Sequence, residues 1–251
     1  MGRASAVLVV GFVALAAALG IYYTTAPSLP NLTVWWEVAI LGFLVIPAVL
    51  GLVYFVLPIW RAHGLLPVGL AVAVLAAVLQ VAELDVLANF AKLGAVTLLA
   101  FWFLSYFETA AWVVAVALIV TWVDAISVWR GPTKHIVTHQ REVFTTFSIA
   151  FPVPGEEDTA QLGLPDILFF ALFLAATVRF GLRTRLTFVA MTLSFGATLA
   201  FAVGFDINGL PALPLLALGF LAPNADLIWK RLRTDGAWGH LTSEKEEAAR
   251  S

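Results

Sequence analysis

The strongest constraint on this chain is a series of long apolar stretches. Eight segments, near 5–24, 34–57, 65–83, 87–106, 109–129, 164–181, 184–204 and 210–229, carry few charges. Each approaches the roughly 20 apolar residues that a bilayer-crossing helix needs. A lone segment in lipid must satisfy its own backbone hydrogen bonds, so helix is the expected conformation. The period-2 alternation of a membrane barrel is absent. Charge agrees: 12% of residues are charged and 61% hydrophobic, against about 25% charged in soluble domains. The expected fold is therefore all-α, a polytopic membrane helix bundle of about eight transmembrane helices. It forms one membrane-embedded domain over 1–251, with N-terminal helices in 1–106, a second group in 107–229 and a polar tail in 230–251. The first segment follows Arg3 as a signal peptide would, but it is long and lacks a clear cleavage site, so it reads as a membrane helix. A net charge of −2 gives no argument for nucleic acid, and the lipid bilayer is the implied partner. The chain has no cysteine, which removes disulfides, thiolate metal sites and cysteine nucleophiles.

One internal loop is long, from Arg130 to about Leu162, and it carries most of the charges between helices. Within it, Phe144 to Pro154 is rich in aromatic, Thr and β-branched residues and reads as an extended segment. His135 and His139 have the spacing of a zinc-protease motif but lack its glutamate, so they read as solvated loop residues. No metal and no cofactor is expected.

An ionisable group inside a membrane helix is costly and marks a functional candidate. Glu37 and Asp226 lie near helix ends, where water or a capping role accounts for them. Glu83, Asp85, Lys92, Glu108 and Asp206 are also near predicted ends. Asp124 and Asp166 are different. At 1.5 Å per residue Asp124 lies roughly 9 Å inside the end of the fifth segment, and Asp166 lies just inside the start of the sixth. The long loop joins those two ends, so both carboxylates approach one membrane face. A third element returns to that face: Asn208 to Pro214 reads Asn-Gly-Leu-Pro-Ala-Leu-Pro. Pro211 and Pro214 remove two backbone donors, and irregular backbone at membrane depth is tolerated only beside protein or a water-filled cavity. Three elements should converge on one hydrated pocket. The helix macrodipole favours charge on Asp166, in a first turn, over Asp124, toward a helix end.

These features resemble the presenilin and signal peptide peptidase family of intramembrane aspartyl proteases. That family has an aspartate in one helix, Gly-x-Gly-Asp in the next and Pro-Ala-Leu opening its last helix. Here the matching positions are Asp124, then Gly163, Leu164, Pro165 and Asp166, then Pro211, Ala212 and Leu213. The stretch Asp124 to Trp129, followed by Thr133, Lys134 and His135, is most similar to archaeal presenilin homologues. Two departures stand out: Val123 occupies the usual tyrosine position, and Pro165 replaces the second glycine. The family has nine spanning helices, so either two segments merge within 1–106 or one N-terminal helix is missing. The resemblance implies a presenilin-like fold with Asp124 and Asp166 catalytic, and peptide-bond hydrolysis in transmembrane segments or signal peptides. Transmembrane-helix proteins are the implied substrates, and a prokaryotic, archaeal-type cell membrane the implied location. In such chemistry two close carboxyls share one proton. One takes a proton from water while the other polarises the scissile carbonyl. An unwound substrate could add as a strand, and Phe147, Ser148, Ile149 and Ala150 are the candidate edge.

Two other readings stay open. A proton- or cation-coupled transporter or channel also uses broken helices and intramembrane charges, and an inactive scaffold would tolerate Val123 and Pro165. With eight helices, Arg3, Arg61, Arg179, Arg183, Arg185, Lys230, Arg231 and Arg233 fall on the face opposite the two aspartates. The positive-inside rule puts that face, and the C-terminus, in the cytoplasm.

Overall fold

A computed structural model describes residues 3–130, 145–156, 159–207 and 210–235. The loop histidines His135 and His139, the Thr133–His135 match, Phe144 and the pair Asn208–Gly209 lie outside the described residues.

The described chain is mostly helical, in eight rods, with a two-stranded hairpin preceding the sixth. Helix α1 spans Arg3–Thr25. The second rod runs through α2 (Val34–Ile40), a π turn (Leu41–Val45), α3 (Ile46–Val56) and a 3-10 turn (Leu57–Ile59). Pro47 cannot donate to the carbonyl four residues earlier, and a π turn is one way a helix absorbs that loss. Helices α4 (Leu65–Val81), α5 (Asp85–Leu104) and α6 (Ala110–Arg130) follow. Strands β1 (Ser148–Pro152) and β2 (Thr159–Gly163) form an antiparallel pair. Then come α7 (Leu164–Arg179) and α8 (Thr184–Gly204). The last rod joins α9 (Leu213–Leu221), a 3-10 turn (Ala222–Asn224) and α10 (Ala225–Asp235). Glu83 and Asp206 both have positive φ. They terminate α4 and α8 in left-handed caps, with Leu84 N–H donating to Leu79 C=O at 3.0 Å and Ile207 N–H to Ala202 C=O at 2.9 Å.

All eight predicted segments contain helix, but the expectation of eight or nine crossing helices is corrected. Among the described residues, five helices are long and apolar enough to cross a membrane: Ala6–Ser28, Val34–Ile59, Asp85–Leu104, Ala110–Ser127 and Thr184–Gly204. The chain is a multi-pass membrane protein. Helix α4 has 17 residues, α7 has 16 and α9 only 9. The reason for α7 is burial in protein. Phe170 through Ala176 are all 0% exposed, so every face of this stretch meets other helices, and apolar composition there reports protein contact rather than lipid. The start of α7 is fixed by the strand before it, and α9 begins late because Pro211 lies outside the helix.

Where helices cross closely, small residues make the room. A Cβ at Gly196 of α8 would lie 2.7 Å from the Phe43 ring and 2.8 Å from the Gly42 carbonyl oxygen. The second contact is backbone at the π turn and cannot swing aside. Gly196→Ala is therefore expected to cost about 1–3 kcal/mol through overpacking. A fall in thermal unfolding temperature in detergent would register it. Gly20→Ala, at a position with nothing within 4 Å of the added carbon, should leave that temperature unchanged.

Candidate active site

Asp166 owes its position to the way α7 starts. Gly163 is the N-cap residue in extended conformation, and Leu164 and Pro165 open the helix. Proline fits there because first-turn N–H groups have no partner within the helix. Asp166 is then the third helical residue, from which a side chain can reach back to the N-cap. The Gly163 N–H hydrogen-bonds its carboxylate. Glycine is needed at 163 for proximity, since a Cβ would sit 3.2 Å from Asp166 Oδ2.

Asp124 lies on α6, half-buried, between the exposed Val123 and Ile126. Its Oδ2 accepts the Leu213 N–H at 3.1 Å. Leu213 is the first residue of α9, so its N–H has no acceptor within the helix. Pro214 follows with no donor, and the first backbone bond of α9 runs from Leu216 N–H to Ala212 C=O at 3.0 Å. The two prolines thus leave Leu213 as a donor at this helix mouth, and Asp124 takes it. Helix α9 packs against both α6 and α7, and Phe220 stacks on Phe173 of α7 at 4.9 Å. The Asp124 and Asp166 carboxylates lie within electrostatic range of each other. The carboxylates from α6 and α7 and the Pro-Ala-Leu segment therefore come together; among the described residues no hydrogen bond or ion pair joins Glu37, Glu83 or Asp206 to them. Each aspartate accepts one backbone N–H, Asp124 from Leu213 and Asp166 from Gly163.

Asp226 forms a bidentate ion pair with Arg183 at 2.6 and 2.8 Å. Beside it, the fully buried Asn224 accepts the Arg183 N–H and donates to Thr187 Oγ1 and the Phe220 carbonyl. These residues clamp the α7–α8 turn to the last rod at the end away from the aspartates. Among the described residues no three metal-ligating side chains gather.

The extended segment is present, but its edge is not where the sequence suggested. Register pairs Ser148 with Gly163 and Ala150 with Gln161. The other side of β1 faces α5. Asn89 Nδ2 donates to the Ala150 carbonyl at 3.3 Å, and Asn89 Oδ1 accepts the Ala150 N–H at 3.2 Å. Lys92 Nζ donates to the Ser148 carbonyl at 3.2 Å and the Thr145 carbonyl at 3.1 Å. Side chains of α5 thus occupy the positions a third strand would take. This corrects the proposal of Phe147, Ser148, Ile149 and Ala150 as a free edge: Phe147 is exposed, but β1 is paired on both sides. Among the described residues, the open edge is β2. Because Ala150 turns its backbone groups to Asn89, its partner Gln161 must turn its own outward. Thr159 and Gly163 share that orientation, and Gly163 gives its N–H to Asp166.

Asn89 and Lys92 were missed as site-positioning residues. Both are only 8% exposed. Their signal was present in sequence: two long polar side chains three residues apart lie on one face of an apolar helix. Tyr22 adds a third anchor, its hydroxyl donating to the Pro152 carbonyl at 2.8 Å.

No family model, curated protein or solved structure matches this chain.

Asn89→Ala should release both Ala150 backbone groups, at a cost of about 1–3 kcal/mol for each left unpaired. Hydrogen exchange is the direct measure. The Ala150 amide should exchange at least roughly tenfold faster, while Ile149 and Phe151, which turn toward β2, change much less.

Proposed function

We propose that this chain is an intramembrane aspartyl protease that hydrolyses peptide bonds in transmembrane segments, with Asp124 and Asp166 as its catalytic pair. The observation that carries the reading is the meeting of three motifs. Asp166 follows Gly163 and Pro165 at one helix start, Asp124 lies within electrostatic range of it, and Leu213 of the Pro-Ala-Leu segment donates to Asp124. Resemblance to the presenilin and signal peptide peptidase family pointed to these same positions. A water between the two carboxyls loses a proton to one while the other, protonated, polarises the carbonyl under attack. The tetrahedral intermediate then collapses as the leaving amine takes up a proton. Coupled carboxyls titrate as a pair, so the hydrolysis rate has two pH limbs.

Substrate enters this scheme as an unwound strand on β2. The outward groups of Thr159 and Gln161 supply main-chain hydrogen bonds, and the strand leads directly to Gly163 and Asp166. The face bearing Arg179, Arg183 and Arg185 and the C-terminal helix is cytoplasmic in this reading.

Cleavage of a transmembrane-helix reporter by purified protein in detergent is the deciding assay. Asp124→Ala and Asp166→Ala should each abolish product, and activity surviving both changes would end the proposal. A proton-coupled carrier using the same aspartates would instead show substrate-dependent proton flux in vesicles and no product in either form. The strand docking has its own check. Gln161→Pro removes the outward N–H and should lower turnover at least roughly tenfold. Gln161→Ala keeps that N–H but loses the side-chain bond from Ser148 Oγ at 2.6 Å, so its turnover should fall less; equal losses in both would sink the β2 edge.

A further inference from the structure

At the end of the bundle opposite the aspartates, four helix termini surround a cavity of about 580 Å³. Trp60, Arg61, Leu65, Trp102, Ser105 and Arg179 line it. The Arg61 guanidinium carbon lies 4.5 Å from the centroid of the Trp60 ring, and that of Arg179 lies 6.0 Å from the same ring. One indole thus contacts both cations. Arg179 is held further by donating to the Leu104 carbonyl at 2.6 Å and by the Phe180 ring at 5.5 Å. The two guanidiniums are within electrostatic range of each other, as is Glu108 of Arg179. Neither arginine has a carboxylate within ion-pair distance among the described residues; the ion pair described there joins Arg183 and Asp226.

Two like charges brought together around a cavity without an acid between them repel each other, and a bound anion relieves that repulsion. Guanidinium groups match phosphate oxygens in a planar, two-pronged geometry. The depth of the site says which phosphate. Trp60 follows the Val34–Ile59 span directly, Ser105 follows the Asp85–Leu104 span, and Arg179 is the last residue of α7. This is the level at which indoles and headgroups meet. Val68 and Phe103, next in the chain to the lining residues Pro67 and Trp102, are exposed and offer apolar surface to acyl chains.

We propose that Arg61 and Arg179, with Trp60 and Trp102, form a binding site for the phosphodiester headgroup of an anionic phospholipid. The site is independent of the proteolytic reading, since none of these residues is near the aspartates. It gives the bundle a fixed lipid at the junction of the second rod, α4, α5 and α7.

The test is native mass spectrometry of the full chain from detergent, offered equal amounts of phosphatidylglycerol and phosphatidylcholine with the same acyl chains. Wild type should retain phosphatidylglycerol by a factor on the order of ten. Arg61→Gln with Arg179→Gln should bring the ratio near parity. Arg179→Gln also loses the Leu104 bond, so Arg61→Gln alone is the second variant; it should lower the ratio about threefold with unchanged thermal unfolding. Arg185→Gln, an exposed charge on the same face but outside the cavity, should keep the wild-type ratio. Parity in wild type, a preserved preference in the double variant, or an equal loss in Arg185→Gln would each overturn the assignment. So would displacement of the lipid by inorganic phosphate at the same concentration, which would make this a site for a soluble anion.

Discussion

A helix that begins inside an apolar bundle carries amide groups that water cannot readily reach, and two helices of this chain begin in that way. Each unpaired group costs free energy comparable to a lost hydrogen bond. The start of α7 meets the requirement with its own Asp166, which takes the N–H of the N-cap Gly163. The start of α9 meets it from another helix, Asp124 of α6 taking the Leu213 N–H. The same carboxylates that stand as candidate acid and base therefore also complete the backbone. Prolines at 165, 211 and 214 reduce the number of donors that need partners. What remains is a small set of amides and two acids, and the local fold follows from pairing them.

The hairpin obeys the same constraint by a different route. A two-stranded sheet has two open edges, and exposed edges are a liability. One edge of β1 is closed by Asn89 and Lys92, whose side chains imitate a strand. The amide of Asn89 donates and accepts in the geometry of a peptide group, so it replaces a ladder pair on Ala150. Lys92 can only donate, and it meets only carbonyls. Closing one edge in this manner leaves β2 as the edge open to an incoming chain, and β2 runs without a break into the helix bearing Asp166. The polar residues of α5 thus choose which strand can be extended.

Helix formation was legible because apolar length and the absence of period-2 alternation leave little else for a segment in lipid. Span number was not legible, since composition cannot distinguish a helix facing lipid from one facing protein. Phe170 through Ala176 are as apolar as any lipid-facing stretch, yet they are fully enclosed. The β-prone character of Phe144 to Pro154 was visible, and β1 occupies part of it. Its partner was not visible: Thr-Ala-Gln-Leu-Gly has no marked strand composition, and the residues closing β1 are 56 and 61 positions away in the chain. The aspartates and the Pro-Ala-Leu segment could be singled out because charge and proline are rare in such helices. The bond from Leu213 to Asp124 could not, because it depends on how α9 packs against α6.

The two ends of the bundle treat charge in opposite ways, and the difference follows from what each must hold. At the aspartate end, Asp124 and Asp166 each accept a backbone N–H. At the other end, cations dominate: Arg183 is paired with Asp226, whereas Arg61 and Arg179 share an aromatic ring and no acid. Aromatic contact can orient a guanidinium without neutralising it, so that pair keeps a net positive field even with Glu108 in range of Arg179. An ion pair at the same position would have fixed the side chains but cancelled the field. Retaining both charges beside Trp60 at headgroup depth therefore keeps this end of the bundle attractive to phosphate. The rod that carries Trp60 and Arg61 meets α8 at its π turn, where Gly42 and Gly196 lie in close contact.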